Sequence, residues 1–226
     1  MLLNLLSSNA TLLQIFIILA GFIFSIGFHE FAHAKSAQMF GDNTPVYDGR
    51  VTLNPIAHLD PIGTLFIFLA PFGWGKPVEV NPQNMGMYPE RKYLISSLAG
   101  PVANMFLSLI ILLISWGFVF SLNNFLGSMD LLTAQSIFDS LKTLFFINIS
   151  LAIFNLIPIP PLDGSKIFSV ILPYDARMKF EPFILKYGII VLLVIMLPIF
   201  GGNSIIGIFI TPLISLITNG AYSLIM

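Results

Sequence analysis

An apolar run near the N-terminus constrains this chain more than any other feature. Residues 12–28 contain only two polar side chains, Gln14 and Ser25, and the run is long enough for a membrane-spanning helix. It leads directly into His-Glu-Phe-Ala-His at residues 29–33. Two imidazoles and a carboxylate are therefore carried to membrane depth. Ionisable groups are costly in a bilayer, so they are functional candidates there by default.

The spacing within residues 29–33 indicates a metal site. His29 and His33 are four residues apart, so both side chains lie on one face of a helix and can bind one metal ion. Glu30, beside the first histidine, can act as a general base on a metal-bound water. In soluble helices HExxH is a weak signal because it arises by chance. In a membrane helix the chance explanation would leave three polar groups in lipid without a role.

Composition excludes a soluble globular domain. The 226 residues are 56% hydrophobic and 9% charged, with a mean hydropathy of +0.90, values typical of an integral membrane protein. A formal net charge of -1 offers no basic surface for nucleic acid. Because the chain has no cysteine, a metal must be bound by its three histidines or its eleven acidic residues.

The hydrophobic segments predict an all-α integral membrane protein with one polytopic domain over residues 1–226. About five transmembrane helices are expected, and the first is interpreted as a retained span, not a signal peptide. The five predicted spans are residues 11–40, 92–120, 131–156, 181–199 and 204–223. Lys and Arg concentrate after the first and third spans, which places those segments in the cytoplasm. The N-terminus is then outside the cell membrane, the C-terminus inside, and His29 towards the cytoplasmic face.

The segment between the first two spans predicts additional local structure. Residues 61–72 are apolar but too short for an ordinary span, which favours a re-entrant or interfacial helix, or a surface amphipathic helix. Residues 77–82 are expected to form an extended strand or a small β-hairpin. Trp74 is either an interfacial anchor or part of a substrate-docking edge.

A zinc site with two histidines needs a third protein ligand and an open position for water. Elimination by setting leaves Asp163, Asp60 and His58. Asp163 is preferred because three prolines between residues 158 and 161 break the helix before it. Unwound chain at membrane depth occurs only inside protein or beside a wet cavity. The alternatives are that Asp163 caps the following helical turn, and that His58 is an exposed loop residue or a fourth, blocking ligand.

Three motifs, in this order, resemble those of the site-2 protease family of intramembrane zinc metalloproteases. They are HEFAH at 29–33, GPVAN at 100–104 and NLIPIPPLDG at 155–164, with loop sequences DPIGT at 60–64 and GWGKPV at 73–78. The resemblance covers about residues 12–172 and implies the family's three-helix catalytic core. Two C-terminal spans, about residues 181–223, follow that core. The chain has no stretch long enough for a PDZ or CBS module, as in compact prokaryotic members.

The resemblance also implies a role for each candidate residue. His29, His33 and Asp163 are implied as the ligands of one Zn²⁺ per chain, and Glu30 as the catalytic base. Asn155 is implied as a residue that orients the substrate or stabilises the oxyanion.

Asn104 has two interpretations. It lies on a small-residue face with Gly100 and Ala103, so its amide can bond across to the helix that carries His29. Direct participation in catalysis is the alternative.

The implied activity is zinc-dependent hydrolysis of peptide bonds in or near the transmembrane segments of membrane proteins. The partners would be the lipid bilayer and a membrane-spanning protein or peptide, with a homo-oligomer left open. A metal-binding transporter or a non-proteolytic scaffold is the alternative, and removal of remnant signal peptides is another choice of substrate. A transporter is expected to carry inverted repeats and polar residues along a whole path. The polar residues here are predicted to cluster near one face.

Overall fold

The computed structural model of the chain describes residues 10–63, 75–124, 129–197 and 204–225. Helices dominate these residues. They are α1 (Leu12–Met39), α2 (Thr44–Tyr47), α3 (Pro89–Asn124), α4 (Leu131–Asn155), α5 (Asp163–Ile171), α6 (Tyr174–Met196) and α7 (Ile205–Tyr222), with 3-10 turns at Pro55–His58 and Pro82–Met85. Most of the predicted helix at 61–72, and Trp74, lie outside the described residues.

Helix α1 begins and ends where the sequence predicts. The Thr11 hydroxyl accepts a hydrogen bond from the Gln14 N–H, and the Gln14 side chain accepts one from the Thr11 N–H, which is a capping box. The helix stops at Phe40, and Gly41 follows with a φ of 98°, a conformation that glycine adopts at little cost. Both ends of the predicted first span, residues 11–40, are therefore confirmed.

Helices α1, α3 and α4 form the central bundle. Gly21 of α1 lies against Leu144 of α4, where a Cβ atom would come within 2.5 Å of a leucine methyl carbon. Small residues at such crossings let two helix backbones approach closely. Ile18, Ile111 and Phe145 join Leu144 in the buried apolar cluster of this bundle. The three helices that carry the sequence motifs are thus packed together.

Four described helices are long and apolar enough to cross a membrane, namely α1, α3 up to Leu122, α4 and α7. The chain is therefore a multi-pass membrane protein, as the sequence predicts. Helix α6, which overlaps the predicted fourth span up to Met196, is not among the four because charged residues continue to its middle. These residues are Asp175, Arg177, Lys179, Glu181 and Lys186. Four of the five predicted spans thus have matching apolar helices in the described chain.

The C-terminal end of α7 packs against the half of the bundle that is remote from the HExxH histidines. The Tyr222 hydroxyl hydrogen bonds to Ser115 Oγ at 2.9 Å, and its ring lies 5.5 Å from the ring of Phe138. Thr11, at the start of α1, bonds Ser136 in the same part of α4. The five-span prediction puts the C-terminus at the face opposite the N-terminus. The packing of α7 instead places its last residues in the same half of the bundle as the start of α1.

The segment after residue 74 makes one bridge and no sheet. In the described residues the only β interaction is an antiparallel bridge between Leu59 and Gly75. Beside it the Lys76 N–H donates to the His58 carbonyl at 2.7 Å. Residues 77–81 have no regular secondary structure. The predicted β-hairpin is thus not found in the described part of the chain.

Asp42 ties the loop after α1 to the turn before α3. Its carboxylate accepts hydrogen bonds from the N–H and hydroxyl of Thr44, the N–H of Asn81 and the amide of Asn84, at 2.6–3.1 Å. Burial opposes ionisation, but these donors outweigh it and hold the pKa of Asp42 below its ordinary value. This carboxylate therefore stabilises the fold in its charged form.

We expect Asp42→Ala to lower the unfolding temperature of the detergent-solubilised protein by several degrees, because the donors lose their buried acceptor. The stabilisation by Asp42 is present above the ordinary carboxyl pKa and is lost as the pH falls through the lower pKa of the folded protein. Thermal unfolding at neutral and acidic pH measures both effects. The exposed Asp48 supplies the control, and an equal loss of stability in Asp48→Ala would contradict this role.

Candidate metal centre

Three side chains converge between α1, α3 and the start of α5. His29 Nε2 lies 3.1 Å and His33 Nε2 lies 3.0 Å from Asp163 Oδ2, and the two Nε2 atoms are 3.1 Å apart. All three residues are buried, with 5–6% of their surface exposed. The structure therefore brings together the two histidines of α1 and the aspartate that the sequence favours as the third ligand.

The ring hydrogens of the two histidines point away from this meeting point. His33 Nδ1 lies 2.7 Å from the carbonyl oxygen of Ser96, and His29 Nδ1 lies 3.2 Å from Asn104 Oδ1. Both partner atoms only accept, so each neutral imidazole carries its proton on Nδ1 and presents a lone pair at Nε2. Two nitrogen lone pairs and a carboxylate oxygen thus meet with no hydrogen between them. A bound cation satisfies this arrangement, and the His-His-Asp donor set suits Zn²⁺.

Helix α3 packs directly against the converging side chains. At Gly100 a Cβ atom would lie 2.3 Å from His33 Nε2 and 2.6 Å from His29 Nε2, so only a glycine leaves the histidines their room. Asn104, one turn later, makes the cross-helix bond to His29 that the sequence predicts. This contact supports the structural interpretation of Asn104, because it orients an imidazole.

Asp163 reaches the histidines because α4 ends at Asn155 and the chain turns before α5 begins. The helix break that the prolines predict is confirmed. At Gly164 a Cβ atom would lie 2.3 Å from two carbonyl oxygens of the preceding turns, so this tight turn requires glycine. The N-cap position of α5 is held by Leu162, and Asp163 is the first helical residue. The alternative in which Asp163 serves as the cap is therefore wrong.

The other two candidates for a third ligand lie elsewhere. Asp60 Oδ1 accepts a hydrogen bond from the Gly63 N–H at 2.7 Å. His58 is fully buried with its Nε2 2.9 Å from the Thr52 carbonyl oxygen, and its Nδ1 has no hydrogen-bond partner among the described residues. The group of potential metal ligands does not include it. His58 is neither an exposed loop residue nor a fourth ligand, so both sequence-based interpretations are wrong.

His58 instead connects α1 to the segment that begins at Gly75. The 3-10 turn ending at His58 lies so close to α1 that a Cβ atom at Gly27 would be 3.0 Å from Pro55 Cα. The His58 carbonyl accepts the hydrogen bond from Lys76. The segment after Gly75 is thereby held beside the HExxH turn of α1.

A cleft of about 190 Å³ opens beside the three converging residues. Glu30 lines this cleft, and its Oε2 accepts a hydrogen bond from the Val78 N–H at 3.1 Å. Asn155 also lines it, but its Nδ2 donates to the Leu151 carbonyl of its own helix at 2.9 Å. Residues Gly75 and Val78 border the same space. A carboxylate, an amide and a backbone segment therefore border the same cleft as the candidate metal site.

Lys166 belongs to the site, although sequence reasoning did not identify it. Its Nζ lies 3.0 Å from Asp163 Oδ1, the oxygen that does not face the histidines. The Lys166 ammonium therefore stabilises the charged form of the Asp163 carboxylate. The i, i+3 spacing of a lysine after Asp163 on a helix was the available signal.

Comparison with known proteins agrees with this geometry. The sequence model of peptidase family M50 matches residues 17–197. A Bacillus subtilis protein named "Putative zinc metalloprotease YwhC" is 40% identical over 175 residues, which cover 76% of each chain. Proteins named "Putative zinc metalloprotease Rip2" are 32% identical over 152 residues in Mycolicibacterium smegmatis and 30% over 159 residues in Mycobacterium tuberculosis.

The matched regions cover 66% and 65% of this chain but 54% of each Rip2 protein, so the chain spans about half the length of those two relatives. No solved structure matches the chain. The motifs at the converging side chains lie inside the matched region. The chain belongs to peptidase family M50, the site-2 protease family.

Proposed function

We propose that the protein is a zinc-dependent intramembrane endopeptidase that hydrolyses peptide bonds in or near the transmembrane segments of membrane proteins. The observation that carries this proposal is the meeting of two imidazole nitrogens and one carboxylate oxygen beside Glu30. Family membership and the names of the bacterial relatives support it.

His29, His33 and Asp163 would hold one Zn²⁺ per chain beside the cleft. Zinc held there would lower the pKa of a bound water and polarise a peptide carbonyl oxygen. The hydrogen bonds from the imidazoles to α3 fix the ring orientations. The chain's own residues therefore point the three donor atoms at one place before a substrate arrives.

Glu30 is the general base of this proposal. It takes a proton from the attacking water and returns it to the leaving amine. The hydrogen bond from the Val78 N–H holds one of its oxygens, which leaves the other free to accept the proton. Because Glu30 follows His29 directly, its carboxylate is fixed relative to the metal-binding residues by a single helical turn.

The substrate must present a peptide bond that is not buried in its own helix. We infer that a locally unwound substrate lies along the segment from Gly75 to Val78, bound by strand addition. Asn155 would orient this substrate or support the oxyanion. Its Nδ2 becomes available for that role only after it leaves the Leu151 carbonyl.

His58 gives a direct test of the substrate segment. We expect His58→Leu to reduce peptide hydrolysis roughly tenfold, through a higher KM, because the turn loses its hydrogen bond to the Thr52 carbonyl. His58→Gln keeps a side-chain N–H and should restore most of the activity. Zinc content, measured by elemental analysis, should be unchanged in both variants. Loss of zinc from His58→Leu would contradict a role confined to this segment.

The positive-inside rule supports an orientation with the N-terminus outside and the active site towards the cytoplasmic face. Water would then enter the cleft from the cytoplasm. Residues 1–226 act in this proposal as one polytopic protease domain, with the catalytic core at about 12–172. A protein or peptide that spans the same bilayer is the substrate.

The alternative of a metal transporter or non-proteolytic scaffold is less well supported. Buried polar groups do continue beyond the cleft, since Asn148 Nδ2 donates to Ser25 Oγ at 3.0 Å and Ser115 bonds Tyr222. The expectation that polar residues cluster near one face is therefore wrong. The presence of Glu30 in the cleft and the family match favour the protease.

Metal removal tests the proposed function. The purified full chain, in detergent with a membrane-spanning substrate, is expected to lose cleavage on treatment with a strong chelator and to regain it with one equivalent of Zn²⁺. Asp163→Ala should bind no zinc and should not be rescued. Cleavage that persists in the chelated protein would overturn the proposal.

A further inference from the structure

A polar cavity lies between α4 and α7, away from the catalytic cleft. Its volume is about 350 Å³, and none of its lining residues lines the cleft. Six of its seven lining residues are polar, with Phe146 the exception. The polar residues are Asp139, Lys142, Thr143, Ser215, Thr218 and Asn219. We refer to this cavity as the α4–α7 groove.

The groove opens on a surface that is otherwise apolar. Both of its helices are among the four that can cross a membrane. On α7 the neighbouring Leu213 and Leu216 are 50% and 72% exposed, and at the start of α4 Leu131 and Leu132 are 87% and 66% exposed. Exposed leucines therefore flank the groove along both helices. The mouth of the groove therefore faces lipid or the lipid–water boundary.

In the described part of the protein the Thr143 hydroxyl donates to the Asp139 carbonyl, but no hydrogen bond or ion pair engages the side chains of Asp139, Lys142 or Thr218. Thr218 is 3% exposed, yet its hydroxyl oxygen has no hydrogen-bond partner there. Asp139 and Lys142 carry opposite charges, but no ion pair within 4.0 Å joins them to each other or to another described side chain. The Lys142 ammonium lies 5.8 Å from the centre of the Tyr222 ring. Charged groups on membrane-spanning helices need a polar ligand or water.

We propose that the α4–α7 groove binds the headgroup of a phospholipid that carries a primary amine. The phosphate of such a lipid accepts hydrogen bonds from Lys142, while its ammonium group donates to the Asp139 carboxylate and the Thr218 oxygen. The acyl chains lie along the apolar surface formed by residues such as Phe146 and Leu213. A choline headgroup has the same charges but no N–H donor, so the groove discriminates against it.

Nanodiscs provide the test. The full chain is reconstituted with phosphatidylethanolamine or phosphatidylcholine at a fixed fraction of phosphatidylglycerol, and retained lipid is measured by native mass spectrometry. We expect retention of the ethanolamine lipid to exceed that of the choline lipid roughly fivefold. Lys142→Met and the nearly isosteric Thr218→Val should abolish this preference. Lys186→Met is the control, because Lys186 also lies over a tyrosine ring, at 5.1 Å, but outside the groove.

Equal retention of the two lipids by the wild-type protein would overturn the proposal. So would an undiminished preference in both groove variants, whatever their stability. A third arm adds soluble glycerophosphoethanolamine to the detergent-purified protein and measures thermal stabilisation. Stabilisation by this compound that matches the effect of the lipid would assign the groove to a soluble phosphate ester instead. None of these measurements depends on protease activity.

Discussion

Glu30→Gln is expected to reduce cleavage of a membrane-spanning substrate by roughly a thousandfold, while zinc remains bound. The glutamine keeps the size of the side chain and can still accept the hydrogen bond from the Val78 N–H, but it cannot take a proton from water. His29, His33 and Asp163 are untouched, so the metal site is retained. Single-turnover cleavage in detergent, together with elemental analysis for zinc, measures both parts of this result.

Glu79→Gln is the matched control for that experiment, since Glu79 is exposed on the same segment as Val78. It should cleave at the wild-type rate. Undiminished turnover by Glu30→Gln would rule out Glu30 as the base. Loss of zinc from Glu30→Gln would show that its carboxylate supports metal binding instead.

Gly100→Ala is expected to remove bound zinc and to lower cleavage at least a hundredfold. The added methyl group would lie 2.3 Å from His33 Nε2 and 2.6 Å from His29 Nε2, closer than any van der Waals contact allows. The imidazoles cannot move aside without losing their hydrogen bonds to Ser96 and Asn104. The three donor atoms would then no longer face one point. Zinc content and cleavage rate of the purified variant measure the effect.

Gly117 provides the control on the same helix. A Cβ atom there would meet nothing within 4 Å, so Gly117→Ala should keep full zinc content and should not reduce stability. Helix propensity favours alanine equally at both positions. A Gly100→Ala protein with a full complement of zinc would show that α3 can shift, and that the contact with the histidines does not limit the site.

The sequence alone predicts much of the catalytic core because the relevant signals are local. The first span is recognisable from its apolar length, from Thr11 at its start and from Gly41 after its end. The four-residue spacing of His29 and His33 places both on one face of α1, whatever packs against it. Prolines before Asp163 break α4 through their own backbone chemistry. Each of these inferences concerns neighbours in the chain.

His58 and Asn155 show where such reasoning fails. An isolated histidine in a loop gives no local signal of burial, and only the packing of its turn on Gly27 encloses it. The bond of Asn155 to Leu151 depends on its side-chain rotamer, which the residue type does not determine. The predicted hairpin depends on a partner strand, and strand pairing is non-local. In each case the answer lies in contacts between distant parts of the chain.

The last two helices also show the difference between what local sequence signals predict and what contacts between distant residues decide. Hydropathy detects apolar segments, so it predicts one span that overlaps α6 and another at α7. Their number does not determine the direction in which each helix runs. The contact of Tyr222 with Ser115 and Phe138 decides where α7 ends. The sequence by itself determined the membrane class, the metal-binding spacing and the break before Asp163, because backbone chemistry and helical periodicity are local properties. Only the tertiary structure decided the partners of Glu30, Asp163 and His58, because packing brings together residues that no short-range pattern connects.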